Sequence, residues 1–181
     1  MFKARRKQAK GFASIEMVII APLMLIVAMG IFELTQLLQA NSIVVNVSRE
    51  GASLISRSST ETPQEVMDVI ASTSSPIDLS TKGAIYISLV VGRQNQSPYL
   101  SRQIRWNQSG LTIASQVWSS CGSWQSNGEC NLGSPKPALS NFPIALDDSE
   151  IVYVVEVFYD YDPVSTFVFD SSFTIGEVTY L

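Results

Sequence analysis

Residues 17–32 form an uninterrupted run of 16 residues without a charge, and the wider stretch 12–38 holds only two charges, Glu16 and Glu33. A helix rises about 1.5 Å per residue and the apolar core of a bilayer is roughly 30 Å thick, so about 20 residues are needed to cross it. Residues 12–38 are long enough. Pro22 falls about three turns into this run, where a local bend and neighbouring groups can satisfy the carbonyl it frees.

The charges around the run give it a direction. Lys3, Arg5, Arg6, Lys7 and Lys10 precede it, and no further basic residue occurs until Arg49. That asymmetry places the N-terminus in the cytoplasm and the body of the chain outside. The overall net charge of -4 conceals the contrast: beyond residue 11 there are 7 basic residues against 16 acidic ones, a net charge of -9. Nucleic-acid binding needs a basic face to neutralise phosphates, which such a body does not offer.

A cleaved secretory signal would have an apolar stretch of about 7 to 15 residues and then small residues at a cleavage point. Here the helical pattern runs on past the apolar segment. Ala40, Val44, Val47, Gly51 and Leu54 are spaced 4, 3, 4 and 3 apart, with Ile43 and Ile55 widening the stripe, while Asn46, Arg49, Glu50 and Arg57 lie off it. One helix is therefore expected over residues 12–57, its first part in lipid and its second presenting an apolar face to a folded domain. Glu33, about 25 Å beyond Glu16 along such a helix, is expected to be a solvated acid at the outer interface.

The 181-residue chain can support one folded domain beside this segment. Thr62, Pro63, Gln64 and Glu65 form a capping box with proline at the first helical position, opening a second, short helix to about Ser72. Strands are expected at residues 84–92, 102–108, 150–161 and 173–180, all rich in β-branched and aromatic residues. In the first, both alternating sets of side chains are largely apolar, so both faces should be covered, one of them by the long helix. Residues 119–143, frequent in Ser, Gly, Asn and Pro, read as a long surface excursion. The fold class is thus α+β: a long N-terminal transmembrane helix continuing into an exported domain with a short second helix and an antiparallel sheet of about four strands. Three segments follow: a basic cytoplasmic leader at 1–11, the transmembrane part at 12–38 and the exported domain at 39–181.

Cys121 and Cys130 lie in the excursion. An exported domain meets an oxidising compartment, where two cysteines most simply form one disulfide. A zinc site is the poorer alternative, because there is no histidine and two thiols leave it half built. The lack of histidine also removes Ser/His/Asp and Cys/His catalysis, and no Gly-rich phosphate cradle is present. Acids gather at Asp147, Asp148 and Glu150 and at Asp160 and Asp162, and read as solvated turns more readily than as an acid–base pair or calcium ligands. Neither an enzyme nor a metal or other cofactor is expected. Trp118 and Trp124 could anchor a partner or pack as a small satellite core.

Glu16 admits three explanations: an anchor that tolerates one acid near its end, a secretory signal, or a peptidase site whose product needs that acid. The third has a specific pattern. A basic leader ending in Gly11, then apolar Phe12, then a glutamate four residues later resembles the processing site of type IV pilin-like proteins, which are cut after the glycine. "GIFEL" at 30–34, "SREGASL" at 48–54 and "VVEVFYDYDPV" at 154–164 resemble the TadE family of pseudopilins, minor subunits of the tight-adherence pilus. The resemblance implies cleavage between Gly11 and Phe12 by a prepilin peptidase. Glu16 would then pair with the new Phe12 ammonium, within the chain or on a neighbouring subunit, for assembly. The implied partners are other minor pilus subunits, an inner-membrane assembly platform and membrane lipid. The implied location is the bacterial inner membrane, single-pass, with the C-terminal domain periplasmic. An uncleaved single-pass protein with a periplasmic binding domain is the alternative.

Overall fold

The computed structural model of the chain describes residues 9–58, 60–165 and 169–181, with side chains from Ile15 onward. The elements in order are α1 (Ala9–Arg57), α2 (Pro63–Ser72), α3 (Leu79–Lys82), β1 (Gly83–Arg93), β2 (Gln96–Arg105), β3 (Ile151–Tyr161) and β4 (Phe173–Tyr180). The chain divides into two units, Met1–Leu38 with Asp162–Ser172, and Gln39–Tyr161 with Phe173–Leu181.

The second unit is built on an antiparallel sheet in the order β2-β1-β3-β4. Its central strand β1 is buried along most of its length, as expected of a strand whose two faces are both apolar. One face carries Ile85, Ile87, Val155, Val157 and Ile104, and the later part of α1 packs on it. Ser48 donates to the Val155 carbonyl (3.0 Å), and its oxygen can accept from the Thr179 hydroxyl (2.9 Å). At Gly51 three elements converge: a Cβ there would lie 2.8 Å from Ile70 Cδ1 of α2 and 3.2 Å from Val155 Cγ1 of β3. The stripe expected on α1 is present, with Ala40, Val44, Val47, Gly51 and Ile55 buried and Leu54 half-buried. Helix α2 starts where its capping box places it, with Thr62 accepting from the Glu65 N–H (3.3 Å) and Glu65 accepting from the Thr62 N–H (2.7 Å).

The other face of the sheet is covered by the chain between β2 and β3. Leu111, Ile113 and Trp124 pack over Ala84, Tyr86 and Phe158. Trp118, Leu132, Phe142 and Leu146 pack over a second cluster of Val90, Leu100, Leu139, Val152 and Val154.

Two details differ from the sequence expectation. The second strand is Gln96–Arg105 where residues 102–108 were expected, because β2 is the outermost strand of its side. There its exposed Gln96 and Ser97 need no apolar cover, and Pro98 needs no ladder donor. The hairpin closes through Asn95 at φ 57°, a left-handed conformation that Asn tolerates. The four-residue helix α3, capped by the Asp78 carboxylate on the Ser80 N–H, is an addition.

Candidate functional site

Helix α1 begins at Ala9, so Gly11 and Phe12 lie in its first turn; their side chains fall outside the described residues. Glu16 is exposed, as are Met17, Val18, Ile19, Leu23 and Leu25 beside and above it. The most apolar window of α1 reaches a mean hydropathy of 2.5 with none of it buried, and α1 is long and apolar enough to cross a membrane. An uncovered apolar helix of this length needs an apolar surrounding, whether lipid or other helices.

Glu33 is not the solvated acid expected at the end of this run. It is 0% exposed. Both of its carboxylate oxygens accept from the Val164 N–H (3.1 Å each), and Oε2 also accepts from the Ser165 N–H (3.1 Å). The donors belong to the β3–β4 loop, and the loop and this part of the helix form the first unit. Backbone donors around a carboxylate offset much of its desolvation, which is how an acid can be tolerated here. A signal for this was present in the sequence: stepping back from Ala40 by 3 and then 4 residues along the buried stripe reaches Leu37 and Glu33.

A second buried acid, Glu156 of β3, was also missed. Its carboxylate accepts from the Ser115 hydroxyl and from the N–H groups of Gln116 (2.6 Å) and Val117 (3.3 Å). Ser115 Oγ accepts in turn from Gln103 Nε2 (2.8 Å) and the Trp118 N–H (3.2 Å). Burial pushes the Glu156 carboxyl above its usual range, against the downward pull of its three hydrogen bonds. The network fastens the segment 115–118, just before the excursion, to the sheet. Beside it lies a cleft of about 420 Å³ lined by Val117, Trp118, Leu139, Phe142 and Tyr180 among others.

Cys121 and Cys130 are bonded to each other and close a small hairpin, in which Gln125 N–H donates to the Glu129 carbonyl (2.8 Å) and Asn131 N–H to Ser123 (3.0 Å). Gly128 turns it at φ 77°, with the position of a Cβ only 2.2 Å from the Arg105 carbonyl, so no other residue fits without displacement. The hairpin lies along the outer edge of β2. Cys130 N–H donates to the Gln103 carbonyl and Arg105 N–H to Gly128, both at 2.8 Å, and Arg102 grips Glu129 bidentately at 2.9 and 3.0 Å. That grip holds the Glu129 carboxyl below its usual range. A covered edge is protected from pairing with stray strands.

Trp118 and Trp124 are half-buried in the two clusters under the excursion, and Trp124 stacks at a tilt on Tyr86 with ring centres 5.9 Å apart. Asp148 accepts from the Gln94 N–H (2.9 Å) and Glu150 from the Asp147 N–H (2.7 Å), so these acids shape turns at one end of the sheet. Among the described residues no group of three or more Cys, Asp or Glu side chains is arranged to hold a metal ion.

The exposed helix, its acids and the serine and glycine that seat it on the sheet thus fall within one continuous stretch of α1. Neither a curated protein nor a solved structure matches the chain. Residues 11–53, which include Gly11, Glu16, Glu33, Ser48 and Gly51, match the family model of TadE-like proteins, the same family that the sequence resembles.

Proposed function

We propose that the chain is a minor pseudopilin of a bacterial tight-adherence pilus assembly system. The observation that carries this reading is the coincidence of the matched segment, residues 11–53, with an apolar helix left uncovered over its first half. The TadE-like family is associated with the Tad pilus as a structural component, which fits a chain whose conspicuous surface is a helix for packing and not a catalytic cleft. In this reading a prepilin peptidase cuts between Gly11 and Phe12 at the cytoplasmic face of the inner membrane. The leader supplies the positive charge that keeps the N-terminus inside, and residues 39–181 are exported to the periplasm.

Glu16 then has a role that a plain anchor does not give it. Cleavage creates an ammonium on Phe12, one helical turn away, and a carboxylate and an ammonium that are each unfavourable alone in an apolar setting neutralise one another. The same pairing between neighbouring subunits would register their helices, with the assembly platform and other minor subunits as partners. The test is the mass of the N-terminal peptide from protein made in a strain with its own pilus system. A mature chain beginning at Phe12 supports the reading, and an intact leader in a strain that processes its other pilins overturns it.

A further inference from the structure

The clamp at Glu33 points beyond subunit assembly to a second membrane contact. In the reading above, α1 crosses the bilayer from residue 12 to about residue 38, and the inference rests on that span. Glu33 lies about 25 Å beyond Glu16 on a helix rising 1.5 Å per residue, near the outer edge of a core roughly 30 Å thick. The backbone of Val164 and Ser165, hydrogen-bonded to Glu33 at 3.1 Å, lies at the same level of the helix.

Irregular backbone at that depth is tolerated only where its polar groups find partners, since water is scarce there. Glu33 supplies acceptors for two consecutive N–H groups of a loop, which is the provision such a position requires. The side chains beside the clamp have the complementary property. Val164 is 64% exposed, and on the helix Phe32, Leu34 and Leu38 are exposed too. Between Asp162 and Asp170 the loop sequence is PVSTFVF, seven residues without a charge. The exposed side chains of Val164, Phe32, Leu34 and Leu38 continue the lipid-facing surface of the span, and uncharged side chains at that depth match lipid.

We propose that the β3–β4 loop at residues 163–165 is a second membrane contact, seated by Glu33 on the outer turns of α1, with its Val164 side chain in the lipid of the outer leaflet. Glu33 is a positioning residue in this contact. It holds the loop backbone and leaves the apolar side chain to the lipid.

The test uses the full chain, one copy per lipid nanodisc, with the native disulfide intact and a single nitroxide at Val164→Cys, Leu25→Cys or Ser140→Cys. Collisions with oxygen, which concentrates in lipid, are compared with collisions with a water-soluble nickel chelate. The oxygen-to-nickel ratio at position 164 should resemble that at 25 and exceed that at 140 several-fold. Adding Glu33→Ala should bring the ratio at 164 down toward that at 140 while leaving 25 unchanged, and Glu33→Gln, which keeps one acceptor oxygen, should fall between. A water-like ratio at 164 beside a lipid-like one at 25 overturns the contact and spares the span. Protection of 164 from both reagents means protein covers it, and also overturns the contact. An unchanged 164 in Glu33→Ala removes Glu33 from its role. A water-like label at 25 sinks the span, and the contact with it.

Discussion

Glu33 and Val164, 131 residues apart in sequence, are joined by two hydrogen bonds of 3.1 Å from one backbone N–H to both oxygens of one carboxylate. The acid comes from "GIFEL" and the amide from the end of "VVEVFYDYDPV", two of the segments that carry the family resemblance. A third, "SREGASL", meets the strand part of the same segment, through Ser48 on the Val155 carbonyl. Segments that resemble the family thus meet in the folded chain, while the family match itself covers residues 11–53.

Removing the Glu33 carboxylate should first be felt by the amides it holds. Two N–H groups, that of Ser165 buried and that of Val164 partly so, lose their acceptor in Glu33→Ala, and an unsatisfied buried group costs about 1 to 3 kcal/mol. Hydrogen exchange on the detergent-solubilised chain should show the Val164 and Ser165 amides exchanging at least about tenfold faster, while amides in the middle of β1 keep their protection. Unchanged exchange at 164 and 165 would show that the clamp is not formed in solution.

Gly51 tests the seating of α1 on the sheet. Its Cβ position is 2.8 Å from Ile70 Cδ1 and 3.2 Å from Val155 Cγ1. The isoleucine tip can swing aside for one methyl group but not for a branched side chain. Gly51→Ala should therefore lower the thermal midpoint slightly and Gly51→Val much more, on the scale of about 1 to 3 kcal/mol for overpacking. Equal stability of all three proteins would contradict the packing at this point.

Most of the fold was legible because its signals are local. The charge-free run and the 4, 3 stripe mark α1, Thr62 to Glu65 write the start of α2, and dense β-branched residues mark β1, β3 and β4. What was not legible depends on partners distant in sequence. Glu33 sits at the end of an apolar run, where an acid is ordinarily solvated, and only the arrival of Val164 and Ser165 buries it. Glu156 sits in an alternating apolar strand whose inward position is plain, yet its donors come from 115–117, in a segment with no periodic pattern. The first half of β2 was hidden for the opposite reason: an outer strand can hold Gln, Ser and Pro, so its composition resembles a loop.

Glu156 gives stability a pH dependence with a definite sign. Burial raises its folded carboxyl above the value it has in the unfolded chain, so the folded state holds the proton more tightly. Its contribution is fully present below the unfolded value of about 4.3 and is lost as pH rises through the folded one. Glu156→Gln does not titrate. The thermal midpoint of the variant relative to the parent should therefore rise as pH is taken from about 4 to about 7, whatever the offset between them at pH 4. A falling difference would mean that the carboxylate is stabilised by its surroundings, and a constant one that it titrates alike in the folded and unfolded chain; either overturns the prediction.

The cystine should behave as a staple on an already hydrogen-bonded hairpin. Closing so short a loop is worth roughly 2.5 to 3 kcal/mol in the chain-entropy account. Cys121→Ser with Cys130→Ser should therefore lower stability by about that much or less, since the pairing of Cys130 and Gly128 with β2 does not need the sulfurs. Thiol labelling of the denatured, unreduced parent should detect no free thiol. Two labelled cysteines in freshly isolated exported protein would mean that the hairpin is not stapled.

Gly11 and Glu16 separate a processed subunit from a plain anchor, because they act on opposite sides of the cut. A peptidase that cleaves after residue 11 must admit a backbone with almost no side chain there, so Gly11→Leu should leave the full-length chain uncut. Glu16 acts afterwards, as the partner of the Phe12 ammonium. Glu16→Ala should be processed normally but recover few partner subunits on co-purification, and Glu16→Asp, with the charge kept and the reach shortened, should lie between. A plain anchor predicts the reverse: residue 11 is indifferent, and deleting an acid from an apolar helix eases insertion, since a central Asp alone is unfavourable by roughly 2.5 to 3.5 kcal/mol on insertion scales. N-terminal mass and partner recovery, measured for each variant, read the two steps independently. An intact Met1 in the parent together with full partner recovery by Glu16→Ala would leave an exposed helix whose only business is with lipid.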